Sequence, residues 1–354
     1  VPLLSLATLE KLIALQVDSN VAATAITTCL DNPTGYGRIV RNEAGAVVAV
    51  VEEKAASPQQ KAIREINAGI YCFDAALLWK HLRDVSTNNP AGEYYLTDMV
   101  EILTANGHRV LPLVVDDPTE LLGINTKLEL AEVDTILRTR KIRQLMLDGV
   151  TVERPETVTV DEQAVIGPDT VLEPFTRILG NTVIGAECRI GACSIVESST
   201  LADDVQIHPF SIVATSHVET GARIGPYARL RLENHVAAGV HIGNFVELKK
   251  TNIGKGAKAQ HLAYLGDSNI GEKVNVGAGA ITCNYDGRKK HQTNIGDGSF
   301  IGSNSTLVAP VSVGEGSYVA AGSVITDAVP ADALALGRSR QIMKEGWAKK
   351  RREE

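Results

Sequence analysis

The chain has 354 residues, 44% of them hydrophobic and 22% charged, with a formal net charge of −7. That length favours two domains over a single core, and the mild acidity and ordinary hydrophobicity argue against a disordered chain, a membrane span or a nucleic-acid surface. Cys29, Cys72, Cys188, Cys193 and Cys283 are odd in number and lack CxxC spacing, which fits free thiols in a reducing cytoplasm rather than a disulfide framework.

Residues 1–124 show apolar runs at 22–30, 46–51, 68–73 and 110–115, alternating with helix-like stretches at 6–15, 75–82 and 97–105. Strands alternating with helices predict an α/β domain with a largely parallel or mixed sheet. Pro33-Thr34-Gly35-Tyr36-Gly37 is a turn or hairpin signal, and Gly37 permits close approach of the backbone to a ligand. A helix is expected over 126–149. Thr126 and Glu129 form a capping box, Leu130, Val133 and Leu137 mark one face, and Gly149 supplies the stop. It reads as a linker between a domain of residues 1–125 and one of residues 150–354.

Beyond residue 150 the sequence counts in sixes. Ile166, Leu172, Ile178, Ile184, Ile190 and Val196 form one run, Val218, Ile224, Leu230, Val236, Ile242 and Leu248 a second, and Ile295, Ile301, Leu307, Val313, Val319 and Ile325 a third. One inward aliphatic residue per six, followed by a small residue at a corner, is the pattern of a parallel β-helix, with three sides to a coil. The register breaks between Leu248 and Ile295. There Ile270 and Val276 keep the count and residues 283–293 leave it as a polar insertion, the kind of loop that carries function on a solenoid. The array is expected to run to about Ala328 and to stop at Pro330.

The interrupted segment holds the chemistry. His261 is a candidate general base, since an imidazole is neutral near working pH; a lone histidine, however, is more often just hydrogen-bonded in a loop. Arg231 and Lys249 are eighteen residues apart, one full coil, so they are expected to stack on one face, where with Lys290 they suit a phosphate. Two histidines six apart, His235 and His241, with His261 nearby, raise a second reading, a β-helix zinc enzyme of carbonic anhydrase type. Six apart means adjacent sides of a coil, which counts against shared ligation. A non-catalytic scaffold is the third reading, but it has no need of His261, Lys249, Lys290 and Asn284 together.

The stretches DNPTGYGRIV, EINAGIY, GEYYLTD, GINTKLEL, GNFVELKK, HLAYLGD, NVGAGAITCNYDG and KEGW resemble the family of bacterial bifunctional N-acetylglucosamine-1-phosphate uridyltransferases and glucosamine-1-phosphate acetyltransferases across essentially the whole chain. The resemblance implies part of a Rossmann-like nucleotidyltransferase domain, the linker helix and a left-handed parallel β-helix. It implies acetyl transfer from acetyl-CoA to glucosamine 1-phosphate, then UDP-N-acetylglucosamine formation from UTP with Mg2+, in a cytoplasmic homotrimer with no nucleic-acid partner. By the same resemblance His261 is the base, and Arg231, Lys249, Tyr264, Asn275, Asn284, Tyr285 and Lys290 bind the sugar phosphate. Ala278, Asn284, Tyr285, Ser303, Ala321 and Arg338 lie along acetyl-CoA; by local sequence alone Ser303 is simply a small corner residue. Gly37, Glu52, Asn67 and Asn125 contact the UDP-sugar, with Asn125 also on the metal.

Two departures bear on this. Leu232-Glu233 stands where the family often has Pro-Gly, so the turn after Arg231 is expected to differ and Glu233 to place a negative charge near the phosphate. Arg338-Ser339-Arg340 replaces an Arg-x-Pro. The family's glycine-rich loop, and an aspartate directly before Val-Pro-Leu, do not occur in this sequence. The chain is therefore expected to start about one hundred residues into the family's usual length, and to acetylate glucosamine 1-phosphate without forming UDP-N-acetylglucosamine.

Overall fold

In the computed structural model, which describes residues 1–124 and 126–354, the apolar runs of the N-terminal part become β1 (Ala23–Cys29), β3 (Val47–Val51), β4 (Glu65–Phe73) and β5 (Val110–Val114). The stretch Arg38–Arg41, not foreseen as a strand, forms β2. The sheet order is β3-β2-β4-β1-β5. Only β1 and β5 run parallel; the other neighbours are antiparallel. The sheet is thus mixed rather than largely parallel, and the reason is local. Asn42 and Gly45 close a tight turn between β2 and β3, in which the Asn42 side chain accepts the Ala46 N–H at 2.9 Å; a connection that short cannot carry the crossover that parallel strands require. Arg38 is almost fully buried and pairs with Glu53 at 2.7 Å.

Helices α1 (Leu6–Ser19), α2 (Pro58–Lys61), α3 (Ala75–His81) and α4 (Asp98–Ala105) fill out this part. Ser5 caps α1 by accepting the Thr8 N–H at 3.1 Å, and Leu12 of that helix is buried in one cluster with Ile26 of β1. Met99, Val100 and Leu103 of α4 close the other cluster, with Ala23, Ile39 and Val50.

Helix α5 spans Lys127–Leu147, and the two compact units of the chain, Val1–Leu137 and Arg138–Glu354, divide within it. Its capping box forms, with the Thr126 N–H on Glu129 Oε2 at 2.7 Å and the Glu129 N–H on Thr126 Oγ1 at 3.2 Å. Gly149 ends the turn at φ +93°. The expected apolar face is only partly right. Val133 is buried, whereas Leu130 and Leu137 are exposed, and further along Ile142 and Leu145 are buried with Val150 and Val152. Among the described residues no helix is long and apolar enough to cross a membrane.

The second unit is a parallel β-helix. Every named residue of the three hexad runs is buried, and strands pair with those one coil on, as in Ile178↔Val196 and Leu230↔Leu248. The array is longer than its sequence count. Thr151–Val152 already pairs with Val171–Leu172, and beyond Pro330 the strand Leu334–Ala335 still pairs with Tyr318–Val319. Nor does the stack break after Leu248. The inward row continues through Ile253, Ala259, Leu265, Ile270, Val276 and Thr282. Two of its steps are five residues long, so these coils have seventeen residues, as in Lys249↔Gly266. The missing residue comes out of a corner, where it leaves the inward direction of the flanking strands unchanged. Ala259 and Thr282 hid the row because one is small and the other polar. Thr282 is satisfied by the Gly266 N–H at 2.8 Å. The true excursion is shorter than expected: Thr282 pairs with Leu307, twenty-five residues on, and the surplus leaves as the loop after Cys283.

Because each coil reports only to its neighbours, the inward row carries the stability. Ile190→Ala, at a fully buried position remote from the interrupted segment, is expected to cost about 2–5 kcal/mol, read as a lower urea midpoint.

Candidate functional site

Two nine-residue strands, His241–Lys249 and Lys258–Gly266, lie side by side in parallel with Asn244↔His261, Glu247↔Tyr264 and Lys249↔Gly266 in register. One coil earlier, Arg231 pairs with Lys249, as their spacing predicts. Leu248 points into the core, so alternation turns Lys249 to the outer face and into the site, where neighbouring side chains leave it 4% exposed.

Around Lys249 the side chains converge. Its Nζ lies 2.9 Å from Asp267 Oδ2, and Asn284 Nδ2 donates to the same carboxylate oxygen. Asn284 also reaches Tyr264 Oη at 3.4 Å. Arg231 Nε is 2.5 Å from Glu247 Oε1. Gly266 leaves the space these groups occupy, for a Cβ there would stand 2.5 Å from Tyr264 Oη and 2.7 Å from Asn284 Nδ2. The excursion after Cys283 folds back on itself: Tyr285 and Lys290 form an antiparallel bridge, and the His291 N–H donates to the Asn284 carbonyl at 2.8 Å. The Lys289 and Arg288 N–H groups, each 2.7 Å away, and His291 at 2.6 Å hold the Asp286 carboxyl far below the usual carboxylate range. The loop so closed brings Lys290 against Lys249. Burial works against the Lys249 charge, but the Asp267 carboxylate that accepts its hydrogen bond outweighs that and holds its pKa above the ordinary value. Lys290 is pushed down, first by Lys249 and then by desolvation. Three cations thus face two carboxylates, an excess that suits a phosphate.

His261 takes a second corner. Its Nδ1 is 3.0 Å from Asn244 Oδ1. With Nδ1 as the donor, Nε2 keeps its lone pair, the arrangement a base needs. Leu262, the next residue, turns that corner at φ +38° and its carbonyl accepts the Gly279 N–H; the Ala278 carbonyl accepts the Asn304 N–H, and the Ser303 carbonyl the Gly322 N–H. His261, Ala278, Ser303 and Ala321 therefore occupy one corner in four successive coils, each step roughly 4.8 Å. Arg338 follows, its Cδ 4.0 Å from where a Cβ on Gly322 would lie.

Not every expected residue joins. Asn275 pairs with Lys258 and Phe300 on another side of the coil, and Tyr285 is exposed, its hydroxyl donating to the Gly287 carbonyl at 2.7 Å. Leu232 and Glu233 both take positive φ in the turn after Arg231. Glu233 points to Lys250 at 3.7 Å, so its charge has a cation of its own beside it. Asp267, Glu247 and Asn244 were missed from sequence; each stands one coil from its partner, and only the register shows it.

In the first unit Gly37, Glu52 and Asn67 come together. The Asn67 N–H donates to the Gly37 carbonyl at 2.9 Å, and a Cβ on Gly37 would stand 3.2 Å from Glu52 Oε1. Tyr71 donates to Asn67 Oδ1 at 2.8 Å, and burial, partly offset by that bond, pushes its phenol well up. Thr97 reaches Glu52 at 3.4 Å. Asn125 lies outside the described residues. The zinc-enzyme reading gains nothing. His235 is on a different side of the coil from His241 and His261, and the one described group close enough to share an ion is His217, Glu219 and His235.

Comparisons with known proteins agree with this division. Residues 5–118 match the nucleotidyl transferase family, residues 163–198 the bacterial transferase hexapeptide family, and residues 292–327 the hexapeptide repeat of succinyl-transferase. The chain is 61% identical to the bifunctional protein GlmU of Solibacter usitatus over 351 residues, covering 99% of this chain and 75% of that protein. It is 49% identical to the GlmU proteins of Koribacter versatilis and Fervidobacterium nodosum, covering all of this chain and 76% and 77% of theirs.

Proposed function

The chain belongs to the bifunctional GlmU family, which joins a glucosamine-1-phosphate acetyltransferase to an N-acetylglucosamine-1-phosphate uridyltransferase, and from this we propose the following division of labour in its β-helix. Acetyl-CoA lies along the corner of Ala278, Ser303 and Ala321, with its phosphates toward Arg338. Glucosamine 1-phosphate places its phosphate among Arg231, Lys249 and Lys290 and its sugar toward Tyr264 and Asn284. His261 Nε2 takes the proton from the amine as nitrogen attacks the thioester carbonyl; the tetrahedral intermediate then collapses with cleavage of the C–S bond, and the imidazolium returns the proton to the departing CoA thiolate. The observation that carries this reading is that His261 shares one corner with the acetyl-CoA residues and one strand with Tyr264, three residues from the phosphate cluster. The direct test is acetyl-CoA-dependent consumption of glucosamine 1-phosphate by the purified chain; no consumption overturns it.

Asn244 is a positioning residue in this scheme. Asn244→Ala is expected to lower kcat about 10- to 100-fold by freeing the imidazole to turn, with KM for glucosamine 1-phosphate little changed. A change in KM alone removes Asn244 from this role.

The chain is further proposed to act in the cytoplasm as a homotrimer. The support is an exposed apolar ridge: Phe210, Tyr227 and Phe245 stack on one another with centroids 5.0 and 5.5 Å apart, and Leu262 continues the column. All four hold positive φ, a conformation bulky residues rarely take. A second copy is the occupant that matches a ridge repeating with the coil. Light scattering that returns an active monomer sinks this proposal. Magnesium belongs to the uridyltransferase site, for which Gly37, Glu52 and Asn67 are the proposed sugar-nucleotide contacts.

A further inference from the structure

The outward row of the β-helix's third sheet reads His217, His235, Asn252, Asn269, Asn294, one residue per coil. From Asn252 on, each amide donates to the next, at 2.9 and 3.0 Å. The two histidines do not join that ladder. Their rings stack at 5.3 Å with 12° between planes, and beside them stands Glu219. Glu219 Oε1 is 2.9 Å from His235 Nε2, while Oε2 accepts the Ala238 N–H at 2.9 Å. A backbone donor therefore fixes the carboxylate and leaves its second oxygen toward the imidazoles. One ligand atom from each of His217, Glu219 and His235 lies within 4.8 Å of the others.

We propose that His217, Glu219 and His235 bind a divalent transition-metal ion of the zinc class. Two imidazoles and one carboxylate are a zinc donor set, and the hydrogen bond on Glu219 is the kind of outer contact that orients a ligand. Ligand atoms each about 2.0–2.1 Å from one zinc lie roughly 3.3 Å apart, so the widest pair needs to close by at most about 1.5 Å. Glu219 and His235 open onto a groove of about 630 Å³, also lined by Asn252 and Lys255, which leaves water the fourth position. The ion clips together two successive coils, those of Ser216–Val218 and Asn234–Val236. This set contains neither His241 nor His261 and has no part in acetyl transfer, so it stands or falls separately from the proposed mechanism.

The test is calorimetric titration of chelator-treated full chain with ZnCl2, beside His217→Ala and His235→Ala. Wild type is expected to bind one zinc per chain at this site and to gain about 5 °C in Tm under saturating zinc. Each variant is expected to lose at least roughly 100-fold in affinity, since even an outer-shell contact is worth 10–100-fold. Both side chains are exposed, so the metal-free melting of the variants serves as the check on folding. Cobalt distinguishes this site from the exposed thiols of Cys29 and Cys193: the expected spectrum has visible d–d bands without thiolate charge transfer. Zinc bound equally well by both variants, a thiolate spectrum in cobalt, or no zinc binding at all overturns the proposal.

Discussion

His261→Ala is expected to lower acetyl transfer by about 10²–10⁴-fold, the usual contribution of a general base, while the protein melts as before. The residue's surroundings support both parts of that expectation. The imidazole is exposed at a corner, and its side-chain hydrogen-bond partner among the described residues is Asn244 at 3.0 Å, so its removal empties no core position. Two other histidines, His208 and His241, line the same groove. His241 has its pKa lowered by burial and by Arg223 and Lys258, and it lies on the preceding side of the coil. Comparing kcat for the variant and the parent at saturating substrates measures the effect. Turnover within a few-fold of the parent removes His261 from the mechanism.

Lys249→Ala is expected to lower kcat/KM for glucosamine 1-phosphate by roughly 10²-fold, corresponding to about 3 kcal/mol for one charge-assisted hydrogen bond, while KM for acetyl-CoA stays near its parent value. The asymmetry follows from position: Lys249 pairs with Arg231 across one coil, whereas the acetyl-CoA corner is reached through His261 and Ala278. Lys249 is buried against Asp267, so its loss also leaves a carboxylate without its cation and is expected to lower stability. Lys290→Ala separates the two effects. That side chain is exposed, and its removal is expected to weaken sugar-phosphate use about tenfold without changing the melt. Equal losses for both substrates in both variants argue for a structural role.

The sequence by itself was enough to establish the β-helix. A period of six that keeps aliphatic residues at one position in every coil leaves few other folds, because each inward residue must be covered by the next coil. The one-coil interval from Arg231 to Lys249 was legible for the same reason. So were the α5 capping box and the turn before β2, where residue type dictates local backbone. What the tertiary structure decided is what depends on pairing between coils. The five-residue steps after Leu248 and Leu265 look like a broken count on paper, yet the corners absorb them and the inward row runs on through Ala259 and Thr282. Asp267, Glu247 and Asn244 carry no local signal, since a carboxylate or amide in a strand becomes a partner only when register sets it opposite a cation or an imidazole. The antiparallel pairing of β2 and β3 came from a turn too short for a crossover, and His217 and His235, eighteen residues apart, became neighbours only because the coils between them stack.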